Sequence, residues 1–386
     1  MDNQNNLKFS LVVKNEDFVV RDHRLHQARI MPGVTFLDII YRFLKMRGFN
    51  LREVELRRVL FKEPVVTTEE FDKKVEIIME RKVNYWSVAA RSIRIKNGKI
   101  ISDSFDENLE GECWLNSQVP LKKMDIGSLK QNAARTEDMD YVYSFLRTSG
   151  IHHYDYMKAL GKLYVGKDYV LGELGLNAPS SQYIDYFQIH PAYLDSSTCV
   201  IAMVVLKQTG LDLSNAKPMI PIYIDSFRNV NKLGEKCYVY IPESKIVDPR
   251  SRGNSNPEIA YSDIEVYNEY GELAVLFNKF GSKRVRSENL ITKLQKTERV
   301  TVDNVVFDNQ NRVETSGKVK YDMISLKGVF QRDLRTIIAG VMGMESKDID
   351  VEKDFFEIGM DSKALIMSVE ELEKKMGNKL YPTLLF

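Results

Sequence analysis

In GVTFLDIIYRFLKM, residues 33–46, apolar side chains fall at Val34, Leu37, Ile40, Tyr41 and Leu44. The three-and-four spacing predicts a helix. The segment is apolar on most sides, so that helix is expected to lie buried at the centre of its unit. Upstream, LKFSLVV has enough alternation to read as a strand. Downstream come the strand-like runs VELRRVLF, KKVEIIMERK, WSVAARSIRI and LEGECWL, with Asn97-Gly98 as a hairpin signal among them. A buried helix followed by an antiparallel series implies an α+β unit over residues 1–120, a sheet wrapped around one helix.

Residues 121–140 are polar and read as a connector. Residues 141–287 then repeat the order. GKLYVGKDYVLGELGL gives two strands, and HPAYLDSSTCVIAMVVLKQ (residues 190–208) gives a second apolar helix. PMIPIYIDSFRNV, KCYVYIPES, YSDIEVYNEYG and LAVLFNKFGSKRV give the closing strands. The repetition implies duplication of one fold. Residues 288–325 are polar and read as a linker with two weak strand runs. Residues 326–386 form a different unit. LKGVFQRDLRTIIAGVMGM and KALIMSVEELEKKM read as helices around the acidic loop SKDIDVEKDFFEIGMDS. The chain stops at TLLF, so this last unit is expected to be cut short.

A chain of 386 residues accommodates two or three domains without disulfides. With 55 Lys+Arg against 54 Asp+Glu it has no global field for nucleic acid or an anionic membrane. Cys113, Cys199 and Cys237 are far apart, so no CxxC zinc or redox motif exists. An odd cysteine count and an N-terminus unlike a secretion signal fit a reducing cytoplasm. Apolar runs fall short of the roughly 20 residues that span a bilayer. The five histidines are His23, His26, His152, His153 and His190.

Three constellations could carry chemistry. His23 lies nine residues before Pro32-Gly33, which opens the first helix. Free N–H groups at such a helix start can hold a carbonyl oxygen, and a nearby His can act as base. The alternative is a surface His before an ordinary cap. Asp195 sits in the apolar opening of the second helix. Partial desolvation there is expected to raise its pKa and make it a proton donor. The alternative is an Asp satisfied by backbone N–H groups. Ser362, in GMDSKAL, opens a helix after the acidic loop and suits a phosphate-linked group. It has no Gly-x-Ser-x-Gly elbow for hydrolysis. The alternative is that Asp361 or Ser362 is simply a cap. His190 precedes Pro191 and reads as structural, whereas the sequence does not separate the places of His152 and His153.

Together these stretches resemble the dehydratase domain of modular polyketide synthases, especially the trans-acyltransferase type, followed by an acyl-carrier domain. HRLHQARIMP resembles the motif HxxxGxxxxP, and HPAYLDSSTC resembles HPALLDxxxQ/H. PIYIDSF at 221–227 resembles LPFSWxGV. The resemblance implies a double hotdog with an N-terminal half over 1–120 and a C-terminal half over 141–287. It implies syn loss of water from a carrier-bound 3-hydroxyacyl thioester, with His23 as base at C2 and Asp195 as acid toward the 3-hydroxyl. Gly33, Gln27 and Cys199 would lie at positions that polarise the carbonyl or position substrate and acid. No metal or redox cofactor is implied, only 4'-phosphopantetheine on Ser362. The implied partners are the carrier domain and the ketosynthase and ketoreductase domains, and a homodimer is a further expectation of the family.

Three departures stand out. The family Gly is Gln27, the family Gln or His after the acid is Cys199, and the YGPxFQ loop is HYDYMK at 153–158. A thiol is a poor hydrogen-bonding partner for an acid. The clustering leaves open a related enoyl isomerase, which moves a double bond from C2–C3 to C3–C4 with His23 as single base. It also leaves open an inactive docking domain. Retention of Asp195 favours the dehydratase.

Overall fold

The computed structural model describes residues 6–115, 121–209, 218–243, 259–284, 323–350, 355, 358–360 and 362–376. The chain divides into two compact units, Met1–Leu294 and Gln295–Phe386.

In the first unit the strands are β1 (Asn6–Val13), β2 (His23–Leu25), β3 (Ala28–Ile30), β4 (Glu55–Phe61), β5 (Val66–Thr67), β6 (Asp72–Arg81), β7 (Trp86–Lys96), β8 (Lys99–Ile100) and β9 (Asp106–Trp114). They continue as β10 (Arg135–Asp138), β11 (Ile151–His153), β12 (Ala159–Val165), β13 (Tyr169–Leu176), β14 (Met219–Asn229), β15 (Lys236–Pro242), β16 (Ile259–Asn268) and β17 (Leu273–Arg284). The strands read from the sequence in residues 1–120 and 141–287 are present, whereas the two weak runs read in 288–325 are not among the described strands. Asn97 and Gly98 turn β7 into β8 with φ of 51° and 77°, the left-handed pair a two-residue hairpin requires.

Instead of two separate sheets, there is one thirteen-stranded sheet in the order β1-β6-β7-β9-β4-β14-β17-β16-β15-β13-β12-β10, with β8 paired to β7. The halves join where β4 pairs antiparallel with β14, Leu56 opposite Phe227 and Leu60 opposite Tyr223. Both strands are hydrogen-bonded on their other side as well, β4 to β9 and β14 to β17. Pairing them removes two exposed edges. A second sheet has the order β11-β2-β3-β5 and so combines a C-terminal strand with N-terminal ones.

The first central helix, Thr35–Met46, is buried at nine of its twelve positions, as expected of a helix apolar on most sides. Its one buried acid, Asp38, is fully enclosed. Asp38 Oδ1 accepts the backbone N–H groups of Gln188 (2.8 Å) and Ile189 (2.9 Å), and Oδ2 accepts Arg42 Nε at 2.7 Å. One carboxylate therefore ties the first central helix to the start of the second. Asp38→Ala should destabilise the protein by about 2–4 kcal/mol, because two backbone donors, the one at Ile189 buried, lose their acceptor. The check is the chemical denaturation midpoint, and an unchanged midpoint would remove this tie from the account.

The second central helix departs from the single segment read over 190–208. It runs Pro191–Cys199, is interrupted at Val200, and continues as Ile201–Thr209. The Ser197 hydroxyl donates to the Tyr193 carbonyl (2.6 Å), and the Thr198 hydroxyl donates to the Asp195 carbonyl (2.8 Å). Such hydroxyls share the carbonyls of the preceding turn and weaken the helix locally. The span 121–140 is also more than a connector. It holds a short helix, Ile126–Gln131, capped by Asp125, and then edge strand β10. The capping Asp accepts from Ser128 N at 3.0 Å, a local signal the polar composition hides.

In the second unit, helix Met323–Met342 begins three residues inside the span read as linker. The rest of that span, and the terminal TLLF, lie outside the described residues. A second helix covers Ser362–Met376. Ile338, Ala339, Ile349, Met360, Leu365 and Val369 form the core of this unit.

Candidate active site

The site grows out of strand pairing. β2 and β11 run antiparallel with His23 directly opposite His153. Residues directly opposite on neighbouring strands present their side chains to the same face. The two rings lie 5.1 Å apart, edge to face. His23 Nδ1 lies 2.7 Å from the Ile30 carbonyl oxygen. A carbonyl only accepts, so Nδ1 carries the proton and Nε2 keeps its lone pair. Burial lowers the His23 pKa against the opposing pull of Asp195. His23 is thus a neutral base at neutral pH.

Asp195 is buried one turn into the second central helix. His190 caps that helix: its Nδ1 accepts the Ala192 N–H at 3.2 Å, and its ring stacks on Phe18 at 5.6 Å. Burial pushes the His190 pKa down to about 4, so it stays neutral and structural. One turn on, Asp195 Oδ2 lies 2.7 Å from His153 Nε2. One donor atom each from His23, His153 and Asp195 falls within 4.8 Å of the others. The expectation of a raised Asp195 pKa is corrected here. Burial pushes it up, but the adjacent His153 and His23 outweigh burial, and the carboxyl lies below its ordinary value. Sequence supplied the apolar surroundings and missed the second imidazole.

Cys199 is half-buried one turn beyond Asp195, with Sγ 3.9 Å from Asp195 Oδ2 and 3.8 Å from His153 Nε2. The short hydrogen bond to the acid therefore comes from His153 and not from the thiol. Tyr143 backs the arrangement. Its ring lies 5.0 Å from that of His153, and its hydroxyl bonds Ser196 Oγ at 2.8 Å and accepts the Ala159 N–H at 2.9 Å. His153 and Tyr143 are the residues that sequence reading missed. The available signal for His153 was its position at the first residue of the departed YGPxFQ loop.

Gly33 precedes the first central helix by two residues. Among the described residues no group accepts the N–H of Gly33 or Val34. A Cβ on Gly33 would approach Phe61 Cδ1 to 3.0 Å, so the backbone there is closely packed. Gln27 is exposed in the turn between β2 and β3. The left-handed backbone of that turn falls on His26, with φ 53°, so the family Gly is not required at 27. His26 N–H donates to the Gly150 carbonyl at 2.6 Å, and a Cβ on Gly150 would lie 2.4 Å from the His26 ring. Gly150 itself has φ 89°. Gly150→Ala should therefore cost about 1–3 kcal/mol and loosen the β2–β11 pairing that aligns the two imidazoles. The thermal midpoint and activity should fall together, and an Ala variant with wild-type values of both would count against that alignment. Ser362 is the first residue of its helix.

Residues 2–93 match the family described as the polyketide synthase dehydratase domain. Residues 122–291 match the polyketide synthase dehydratase N-terminal domain, and residues 332–386 the phosphopantetheine attachment site. The crystal structure of an N-terminal dehydratase from the difficidin assembly line is similar, with 32% identity and a TM-score of 0.69. The match covers 75% of this chain and 97% of that one. A monomeric dehydratase domain from a trans-AT polyketide synthase split module shares the fold at 23% identity and a TM-score of 0.66, over 72% of this chain and 99% of that one. The polyketide synthases PksM and PksL of Bacillus subtilis (strain 168) are 24% and 25% identical over 95% and 98% of this chain. This chain spans 8% of the length of either of them. Among the described residues no helix is long and apolar enough to cross a membrane.

Proposed function

The chain belongs to the dehydratase family of polyketide synthases, and from that premise we propose that it eliminates water from a carrier-bound 3-hydroxyacyl thioester, with His23 as base and Asp195 as acid. The observation that carries this reading is the convergence of a lone-pair imidazole nitrogen and a carboxylate tied at 2.7 Å to a second imidazole. His23 Nε2 removes the proton from C2, which the thioester acidifies. The C2–H electron pair becomes the C2–C3 double bond as the C3–O bond breaks. The hydroxyl leaves as water with a proton from Asp195, whose carboxyl His153 Nε2 holds at 2.7 Å. That carboxyl is loaded as bound substrate excludes water and offsets the downward pull of the imidazoles. The N–H groups of Gly33 and Val34 stabilise the negative charge that develops on the thioester oxygen. His153 fixes the acid where a thiol at 199 holds it only loosely.

The isomerase reading needs one base and no acid. It gives no role to a carboxylate that has its own imidazole partner, so the site favours elimination. In the same reading Ser362 carries the phosphopantetheine arm, and the substrate arrives on a carrier domain from ketosynthase and ketoreductase steps. The three cysteines are free thiols, as a reducing cytoplasm keeps them, and the proposal locates the chain there. Self-association into a homodimer belongs to the same proposal. Incubating the full chain with a 3-hydroxyacyl pantetheine thioester of each hydroxyl configuration should give loss of one water by mass spectrometry. Intact substrate in both cases would overturn the assignment.

A further inference from the structure

We propose that His23, His153, Asp195 and Cys199 together form a site for a zinc-class divalent cation, and that the bound ion arrests the enzyme. Elimination needs one imidazole and one carboxyl. This chain places two further donors against them, His153 and Cys199. Both stand where it departs from the family motifs, and both departures bring in nitrogen or sulfur, the donors zinc takes most readily.

Three of the donors stand within reach of one another, and the Cys199 sulfur borders two of them. His153 Nε2, Asp195 Oδ2 and Cys199 Sγ are separated by 2.7, 3.8 and 3.9 Å, and a His23 nitrogen lies within 4.8 Å of the first two. With Zn–N near 2.0–2.1 Å and Zn–S near 2.3 Å, neighbouring donors in a tetrahedral site stand roughly 3.3–3.6 Å apart. To close on an ion, His153 and Asp195 part slightly while Cys199 and His23 turn inward about their side-chain torsions, on backbone elements that stay in place. The supports are already rigid. The Ile30 carbonyl holds His23 Nδ1 at 2.7 Å, the second-shell arrangement that orients a ligating imidazole. Tyr143 packs on His153, and helix geometry puts Asp195 and Cys199 on one face at a spacing of four. The four donors come from two strands and one helix that are distant in sequence, so no CxxC-type spacing announces them.

A cation held by His23 and Asp195 takes the lone pairs that elimination uses, so ion and turnover exclude each other. This arrest rests on the dehydratase reading, whereas the metal site does not. The test uses the full chain stripped with chelator and titrated with Co2+. One ion per chain is expected, with the visible bands of tetrahedral cobalt and a near-ultraviolet sulfur-to-cobalt charge-transfer band, all removed by Zn2+. Cys199→Ser should abolish the charge-transfer band and weaken binding by roughly 10–100-fold or more, since losing a ligand costs at least as much as losing its support. Cys113 and Cys237, both fully buried in the core, remain in that variant. A band that survives Cys199→Ser therefore overturns the site, as does an octahedral spectrum or none in the wild type. His153→Phe, checked for wild-type circular dichroism, should lose the tetrahedral bands, and their retention also counts against the site. Zn2+ should stop water loss reversibly, with chelator restoring it. The cobalt spectrum is read without turnover, so failure of the dehydratase assay and failure of the metal site are separate results.

Discussion

His23→Phe should lower turnover of a 3-hydroxyacyl thioester by about 10²–10⁴-fold, the range a positioned general base contributes. Phe keeps the ring volume and removes both nitrogens. The loss should fall mainly on kcat, because the base acts on the C2 proton and not on binding. The pH profile tests the assignment independently. A base must be neutral to accept a proton, so activity is lost as pH falls through the His23 pKa. Burial places that pKa below its ordinary value of 6.5. The acidic limb of kcat/KM should therefore lie below 6.5 and be absent from whatever activity the variant retains. A wild-type limb at or above that value, or a variant with unchanged kcat, would remove His23 from the mechanism.

Asp195→Asn should lower turnover by a similar factor of about 10²–10⁴, and it carries a second signature in stability. An amide neither donates an acidic proton nor offers His153 a carboxylate. The Asp195 carboxyl lies below its ordinary value of 3.8 because the two imidazoles outweigh burial. A carboxylate with a depressed folded-state pKa stabilises the fold above the unfolded value, and that contribution is lost as pH falls through the folded value. The variant should thus be less stable than wild type at neutral pH. The difference should shrink as pH falls below 3.8. Denaturation midpoints at pH 7 and pH 3 measure it. A gap that widens on acidification would contradict the pairing of Asp195 with His153.

Local pattern made much of this molecule readable. The first central helix is apolar on most sides because it is enclosed. Asn97-Gly98 turns where only left-handed residues turn easily, and His23 and Asp195 stand in distinctive motifs. The unread features are those that depend on partners distant in sequence. β4 joins β14 across more than 150 residues, and nothing in either strand names the other. The sign of the Asp195 shift turned on His153, 42 residues earlier, whose side chain faces the acid only because β11 pairs with β2 in one register. His152 and His153 look alike in sequence. Strand alternation sends one outward and one inward, and the register of a three-residue strand is not visible in its composition. The interruption at Val200 was local but depended on which hydroxyls turn back on the helix.

The pairing of β2 with β11 also bears on inheritance. His23 lies in the N-terminal half of the double hotdog, and His153 and Asp195 lie in the C-terminal half. Neither half carries a complete set of reacting groups, so the chemistry belongs to the junction. Recombination that swaps one half for that of a relative therefore exchanges half of an active site. Within the C-terminal half, replacing His153 alone leaves Cys199 as the nearest remaining partner of the acid. Changes at 153 and 199 therefore need to be made together, and an exchange of one half has to be matched to the groups that the other half presents across the β2–β11 pairing.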